Sequence, residues 1–182
     1  MSGEEPKRPK RPRRPRSVAP LVRSVLHVDT RGRARMIDVG AKATTRRRAT
    51  ARGRVRLNEK AFDALAKGTL SKGDALAVAR LAGILAAKKT SEIVPLAHPI
   101  GLDAVAVDCE LDEKNREVIV TATASTAART GVEMEALTAV AGACLALYDM
   151  AKALDRSIAI REIVLVEKTG GRSGGYRRGG GV

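Results

Sequence analysis

From Lys42 to Leu57 the chain alternates with a period of two. Ala43, Thr45, Ala49, Ala51, Val55 and Leu57 take turns with Thr44, Arg46, Arg48, Thr50, Arg52, Arg54 and Arg56. That alternation predicts one long strand with a buried and a solvated face. Arg47 breaks the pattern, because its parity places it on the apolar side. An unpaired charge there is too costly, so Arg47 is either paired or lines a pocket.

The pattern then changes to a helical period. Asn58 is placed to cap a helix running to about Lys67, with Leu57 and Phe62 as its hydrophobic staple and Gly68 as its stop. After Lys72-Gly73-Asp74, Leu76, Leu81, Ile84 and Leu85 predict a second helix to about Lys89. Thr90 to Gly101, with Pro95 and Pro99 around His98, reads as a loop containing one helical turn. Ala104–Leu111 and Val118–Ser125 read as a hairpin turning at Asp112 to Arg116. A long apolar helix follows from about Val132 to Leu154, then a strand from Ile158 to Val166. Strand, two helices, two strands, helix, strand is the order of a split βαβ arrangement. The expected fold is α+β: a ferredoxin-like antiparallel sheet with helices packed on one face. Ala136 to Ala146, rich in Ala and Gly, permits close approach of another helix, which makes an oligomer an expectation.

The ends of the chain differ from this middle. Residues 1–20 carry Lys7, Arg8, Lys10, Arg11, Arg13, Arg14 and Arg16 among prolines, against Glu4 and Glu5. Such a segment cannot bury enough apolar surface to offset its chain entropy, so 1–25 is expected to be a disordered basic arm. The expected organisation is that arm, an ordered ferredoxin-like domain over 26–169, and a Gly/Arg-rich tail over 170–182. The arm has two readings, a solvated tail or a loose attractor of polyanions such as RNA.

Charge and composition narrow the partners. The net charge is +14, and the domain remains basic without its arm. That suits nucleic acid or a small, highly phosphorylated molecule. One Phe, two Tyr and no Trp leave few stacking platforms for single strands, which favours the small molecule. No uninterrupted apolar run reaches the length of a membrane span, and the charged N-terminus lacks the apolar stretch of a signal peptide. Cys109 and Cys144 have no metal-site spacing and are expected to be reduced and packed, as in a cytoplasmic protein.

The candidate chemistry lies on the long helix and the loops. Asp149 and Lys152 are three apart and share a face, as an ordinary helical ion pair or as an acid/base couple. The apolar helix around them argues against a freely solvated pair. Glu133 and Glu135 stand near the other end, either as favourable charges at a helix N-terminus or as part of a site. In a continuous helix Glu135 and Asp149 share a face about 21 Å apart, so one small substrate meets both only across a subunit interface. His98 is either a structural hydrogen-bonding group or a catalytic one. Lys72 precedes a helix N-terminus, where backbone amides attract anions. Lys42, Arg47 and Lys168 add positive charge, and Gly170-Gly171-Arg172-Ser173-Gly174 has the flexibility to wrap a phosphate.

Taken in order, Met36-Ile37-Asp38-Val39 with Lys42, Thr45 and Arg47, then Lys72-Gly73-Asp74, Leu96-Ala97-His98-Pro99, Thr130 to Ala139, Tyr148-Asp149-Met150 with Lys152, and Lys168 to Gly174 resemble the MoaC family of molybdenum cofactor biosynthesis. The resemblance runs from about Leu26 to Gly174. Its most specific part is Thr-Gly-Val-Glu-Met-Glu-Ala-Leu-Thr-Ala over 130–139. It implies a lyase that converts (8S)-3′,8-cyclo-7,8-dihydroguanosine 5′-triphosphate, supplied by a radical SAM enzyme, to cyclic pyranopterin monophosphate and pyrophosphate. It implies a ferredoxin-like fold, a hexamer built from dimers, and a site at a dimer interface. By motif it makes Asp149 catalytic with Lys152 and Lys72. It lines the substrate site with Leu96, Ala97, His98, Glu133, Met134 and Glu135, and adds Lys42, Arg47 and Lys168 as further pocket positions. It implies no metal ligand set and leaves a magnesium requirement open.

Some positions depart from the family pattern. Ala97 replaces the usual Cys, Gly40 stands where Ser is common, Thr69-Leu70-Ser71 where a His pair often precedes the lysine, and Arg172 where Lys is usual. The alternative to the enzyme is a basic RNA-associated binding protein. It would account for the two ends of the chain but not for the ordered motifs between them.

Overall fold

The computed structural model describes residues 27–29, 31–172 and 174–179. The expected arm over 1–25 and the position of Ser173 lie outside the described residues. The chain divides into two compact units, Met1–Ile37 and Asp38–Val182. Among the described residues of the first, Val28 and Ala34 form an antiparallel bridge closed by hydrogen bonds to Asp29.

In the second unit the alternating segment forms β1 (Thr45–Arg56). Helices α1 (Glu59–Ala66), α2 (Ala75–Lys88) and the single turn α3 (Thr90–Ile93) lead to β2 (Ala104–Asp112) and β3 (Glu117–Ala128). Helix α4 (Glu133–Ala151) crosses back to β4 (Ala159–Thr169). The chain then returns as a two-residue edge strand, β5 (Tyr176–Arg177), inside the segment read from sequence as a tail. The sheet is antiparallel, in the order β2-β3-β1-β4-β5. Its first four strands have the ferredoxin-like order, with β1 and β3 in the centre and both crossovers made through helices.

The local signals explain these boundaries. Asn58 accepts a hydrogen bond from the Ala61 amide at 2.8 Å, and Asp74 accepts one from Ala77 at 3.0 Å, so each helix starts at its cap. Leu57 and Phe62 are both buried, as a staple requires. Ala49, Ala51 and Val55 of β1 and Val118, Val120, Ala122 and Ala124 of β3 are all buried, and with Ala136, Ala139, Val140, Ala143 and Leu147 of α4 they make the core. On the opposite face of β1, Arg54 reaches Glu117 at 3.2 Å and Glu162 at 3.1 Å, linking three strands.

By length and composition α4 would also serve to cross a membrane, although no unbroken apolar run of that length was read in the sequence. More than half of it is buried inside the domain, so its apolar character is that of a core helix. Its small-residue face is occupied within the same chain. A side chain on Gly142 would meet Ala86 Cβ at 2.5 Å and the Ala82 carbonyl at 3.1 Å, so glycine is what lets α2 lie this close. The close approach of another helix that the Ala136–Ala146 stretch permits is made by α2 of the same chain. Cys109 and Cys144 are free and buried, and burial pushes their thiols up to about 11 and about 12.

Candidate active site

The packing at Gly142 sets α2 antiparallel to α4, which brings the turn before α2 to the C-terminal end of α4. Lys72, on that turn, places its ammonium 2.6 Å from Asp149 Oδ2 and 2.9 Å from the Asp149 carbonyl. Lys152, one turn along the helix, stands 2.5 Å from Asp149 Oδ1. One carboxylate is thus held between two ammonium groups, with all three side chains about half exposed. The hydrogen bonds from Lys152 and then Lys72 pull the Asp149 carboxyl down to about 2, and Asp149 in turn raises Lys152. The group is cation–anion–cation, with a net positive charge and donors free to turn toward an anion.

A second group forms at the opposite end of α4. Lys168 on β4 lies 3.2 Å from Glu133 in the first turn of the helix. Glu135 is 4 % exposed, and burial, with the nearby Glu133 charge adding to it, raises its carboxyl above the usual range. Arg47 faces the helix side of the sheet, as its parity requires, and its Nε is buried without a hydrogen-bond partner. With Arg46, Arg48, Asp103, Ser125 and Thr126 it lines a cavity of about 410 Å³. Thr126, the β3 partner of Arg47, donates to the Gly101 carbonyl at 2.6 Å. That bond ties down the loop three residues after His98. A larger cleft of about 560 Å³, lined by Glu59, Phe62, Lys67 and Arg116 among others, holds none of the candidate residues.

The remaining candidates are placed less tightly. Leu96, Ala97 and His98 are half-buried in the loop between α3 and β2, where the Ala97 amide closes a turn on Val94 at 3.0 Å. Met134 is 40 % exposed on the first turn of α4. Lys42 is half-buried in a turn closed by its amide on the Val39 carbonyl. Among the described residues no group of three His, Cys, Asp or Glu side chains gathers as a metal site. The structure therefore unites Lys72, Asp149 and Lys152, and separately Glu133 with Lys168. Because α4 is continuous, Glu133 and Asp149 lie about 24 Å apart along it, and Glu135 and Asp149 about 21 Å.

The family model that matches residues 36–171 is that of the MoaC family. The chain belongs to the MoaC family. Every candidate residue, from Lys42 to Lys168, falls inside the matched segment. A cyclic pyranopterin monophosphate synthase of Parvibaculum lavamentivorans is 52% identical over 155 residues, covering 85% of this chain and 97% of that protein. The cyclic pyranopterin monophosphate synthase 3 of Mycobacterium bovis is 54% identical over 152 residues, 84% of this chain and 85% of its own length. A cyclic pyranopterin monophosphate synthase of Heliobacterium modesticaldum is 52% identical over 152 residues, 84% of this chain and 96% of its own.

Within this MoaC chain, sequence reasoning missed some of the cavity wall. Thr126 is 3 % exposed and lies one residue beyond the expected strand, which stopped at Ser125. Arg46 and Arg48 were assigned to the solvated face. The run of three arginines at 46–48 was the available signal, since strand alternation alone cannot explain a third charge of the wrong parity.

Proposed function

We propose that this chain is a cyclic pyranopterin monophosphate synthase, a lyase that converts (8S)-3′,8-cyclo-7,8-dihydroguanosine 5′-triphosphate to cyclic pyranopterin monophosphate and pyrophosphate. The observation that carries the reading is the Lys72–Asp149–Lys152 group. Ring opening and pterin closure require protons to be moved between nearby atoms, and phosphate–anhydride cleavage requires cations at the departing pyrophosphate. Asp149 is ionised at neutral pH and supplies the carboxylate; Lys72 and Lys152 supply charge-assisted donors to the substrate. When the lysines turn to the phosphates, Asp149 loses the partners that depress it and becomes a stronger base.

The second group, Glu133, Met134, Glu135, Arg47 and Lys168, with Lys42 and the Leu96–His98 loop, is assigned to substrate binding. A 21 Å span along α4 is too long for one substrate, so we assign the complete site to two subunits, each giving one end of its helix, in a hexamer built from dimers. The half-exposed state of Lys72, Asp149 and Lys152 in the single chain is consistent with a wall supplied by a neighbour. The substrate comes from a radical SAM enzyme and the reaction runs in the cytoplasm, where two buried free thiols are at home.

The test is pyrophosphate release from the cyclised GTP derivative by the purified protein beside its Asp149→Asn variant. Release by the wild type, with loss of about a thousand-fold in the variant, is the expected result. A folded wild-type oligomer that releases none would refute the assignment.

A further inference from the structure

Arg47 is turned to the helix side of the sheet, and its Nε has no hydrogen-bond partner. What holds this side chain is backbone. Gly170 and Gly171, directly after β4, both have positive φ, at 89° and 85°. A Cβ on Gly171 would overlap the Arg47 guanidinium, at Nη1. A Cβ on Gly170 would overlap the Arg46 carbonyl and stand 3.3 Å from Arg47 Cδ. The turn therefore lies flat against Arg47 along its length, from the aliphatic stem to the charged end. By contrast Gly68, also at positive φ, would find nothing within 4 Å.

We propose that the Gly170–Gly171 turn is a positioning element for Arg47. It fixes the guanidinium on the helix side of the sheet so that the charge is already in place for the polyphosphate end of the substrate. The inference rests on the proposed function and deepens it. An arginine free to sample its rotamers gives up that freedom when it binds an anion; one held against a flat backbone has lost it already. Glycine is required twice over, for the positive φ and for the space the guanidinium occupies.

The experiment is a double-mutant cycle read by calorimetric titration with inorganic tripolyphosphate. It compares wild type, Gly171→Ala, Arg47→Ala and the double variant, with Gly68→Ala reporting the cost of a positive-φ alanine in open space. Gly171→Ala is expected to weaken tripolyphosphate binding by roughly ten-fold or more, the loss of one charge-assisted contact. The double variant should bind no more weakly than Arg47→Ala alone, and Gly68→Ala should bind as wild type. The same cycle is read in melting temperature. Gly171→Ala should cost more in the wild-type background than beside Arg47→Ala, where the overlap is gone, so a variant that folds only in the latter also supports the proposal. Wild-type affinity in Gly171→Ala, or losses that multiply in the double variant, overturns it. Wild-type protein that releases pyrophosphate from its substrate but owes no tripolyphosphate affinity to Arg47 overturns this inference alone. Protein that does neither overturns the proposed function as well.

Discussion

Lys72 and Asp149, 77 residues apart in the chain, meet at 2.6 Å between ammonium and carboxylate. Only the antiparallel packing of α2 on α4 makes that contact, and it turns an i,i+3 helical pair into a three-membered group.

The first prediction concerns the ionisation of Asp149. Its carboxyl is drawn from the ordinary 3.8 down to about 2, first by Lys152 and then by Lys72. A depressed carboxylate contributes stability above its ordinary value and loses it as the pH falls through the folded one. Asp149 therefore stays ionised across neutral pH and does not supply the acid limb of a pH–rate profile there. A carbon-13 NMR titration of its carboxyl should give a midpoint near 2 in wild type and a clear rise toward 3.8 in Lys152→Met. A wild-type midpoint close to 4 would contradict the geometry.

Glu135 behaves in the opposite sense. Burial raises its carboxyl, so the unfolded chain ionises it before the folded one does, and stability falls as the pH rises from below the ordinary carboxylate value through the folded one. Glu135→Gln should accordingly gain in melting temperature relative to wild type at pH 7.5 compared with pH 4. Calorimetry at the two values decides it, and an equal difference at both would remove the argument.

Gly142 is the contact point of the two central helices. Alanine there must push against Ala86 and the Ala82 carbonyl, so Gly142→Ala should lose about 1–3 kcal/mol in urea unfolding, despite the better helix propensity of alanine. Because the same packing delivers Lys72 to Asp149, pyrophosphate release should fall as well.

The two-subunit site predicts complementation. Asp149→Asn and Lys168→Ala, each inactive alone, should regain about a quarter of wild-type activity when unfolded together and refolded, because half of the dimers then carry one intact site of two. Mixed variants that stay inactive while forming mixed oligomers would place the whole site in one chain.

Much of this fold was legible because its signals are local. The alternation of β1, the Asn58 and Asp74 caps, the Leu57–Phe62 staple and the apolar length of α4 each depend on residues within a few positions of one another. Arg47 could be seen to face inward, since parity alone requires it, and Asp149 could be matched with Lys152 by helical spacing. The pairing of Glu133 with Lys168 was not legible, although both residues were singled out, because it joins a helix to a strand 35 positions later. Nor did the sequence show that Gly170 and Gly171 lie on Arg47, since a glycine pair reads only as a turn.

Apart from the short edge strand β5, the sequence alone therefore determined which segments are helix and strand, which face of each is buried and which residues carry charge where none is expected. Those properties follow from short-range sterics, caps and the burial of a periodic face. The tertiary structure decided which partner each face takes. The small-residue side of α4 asked for a close helix without naming it, and the answer was α2 of the same chain. The reason is physical: helix–helix packing selects among complementary surfaces distant in sequence, and only the packed arrangement puts Lys72, Asp149 and Lys152 at one point and Glu133 with Lys168 at another.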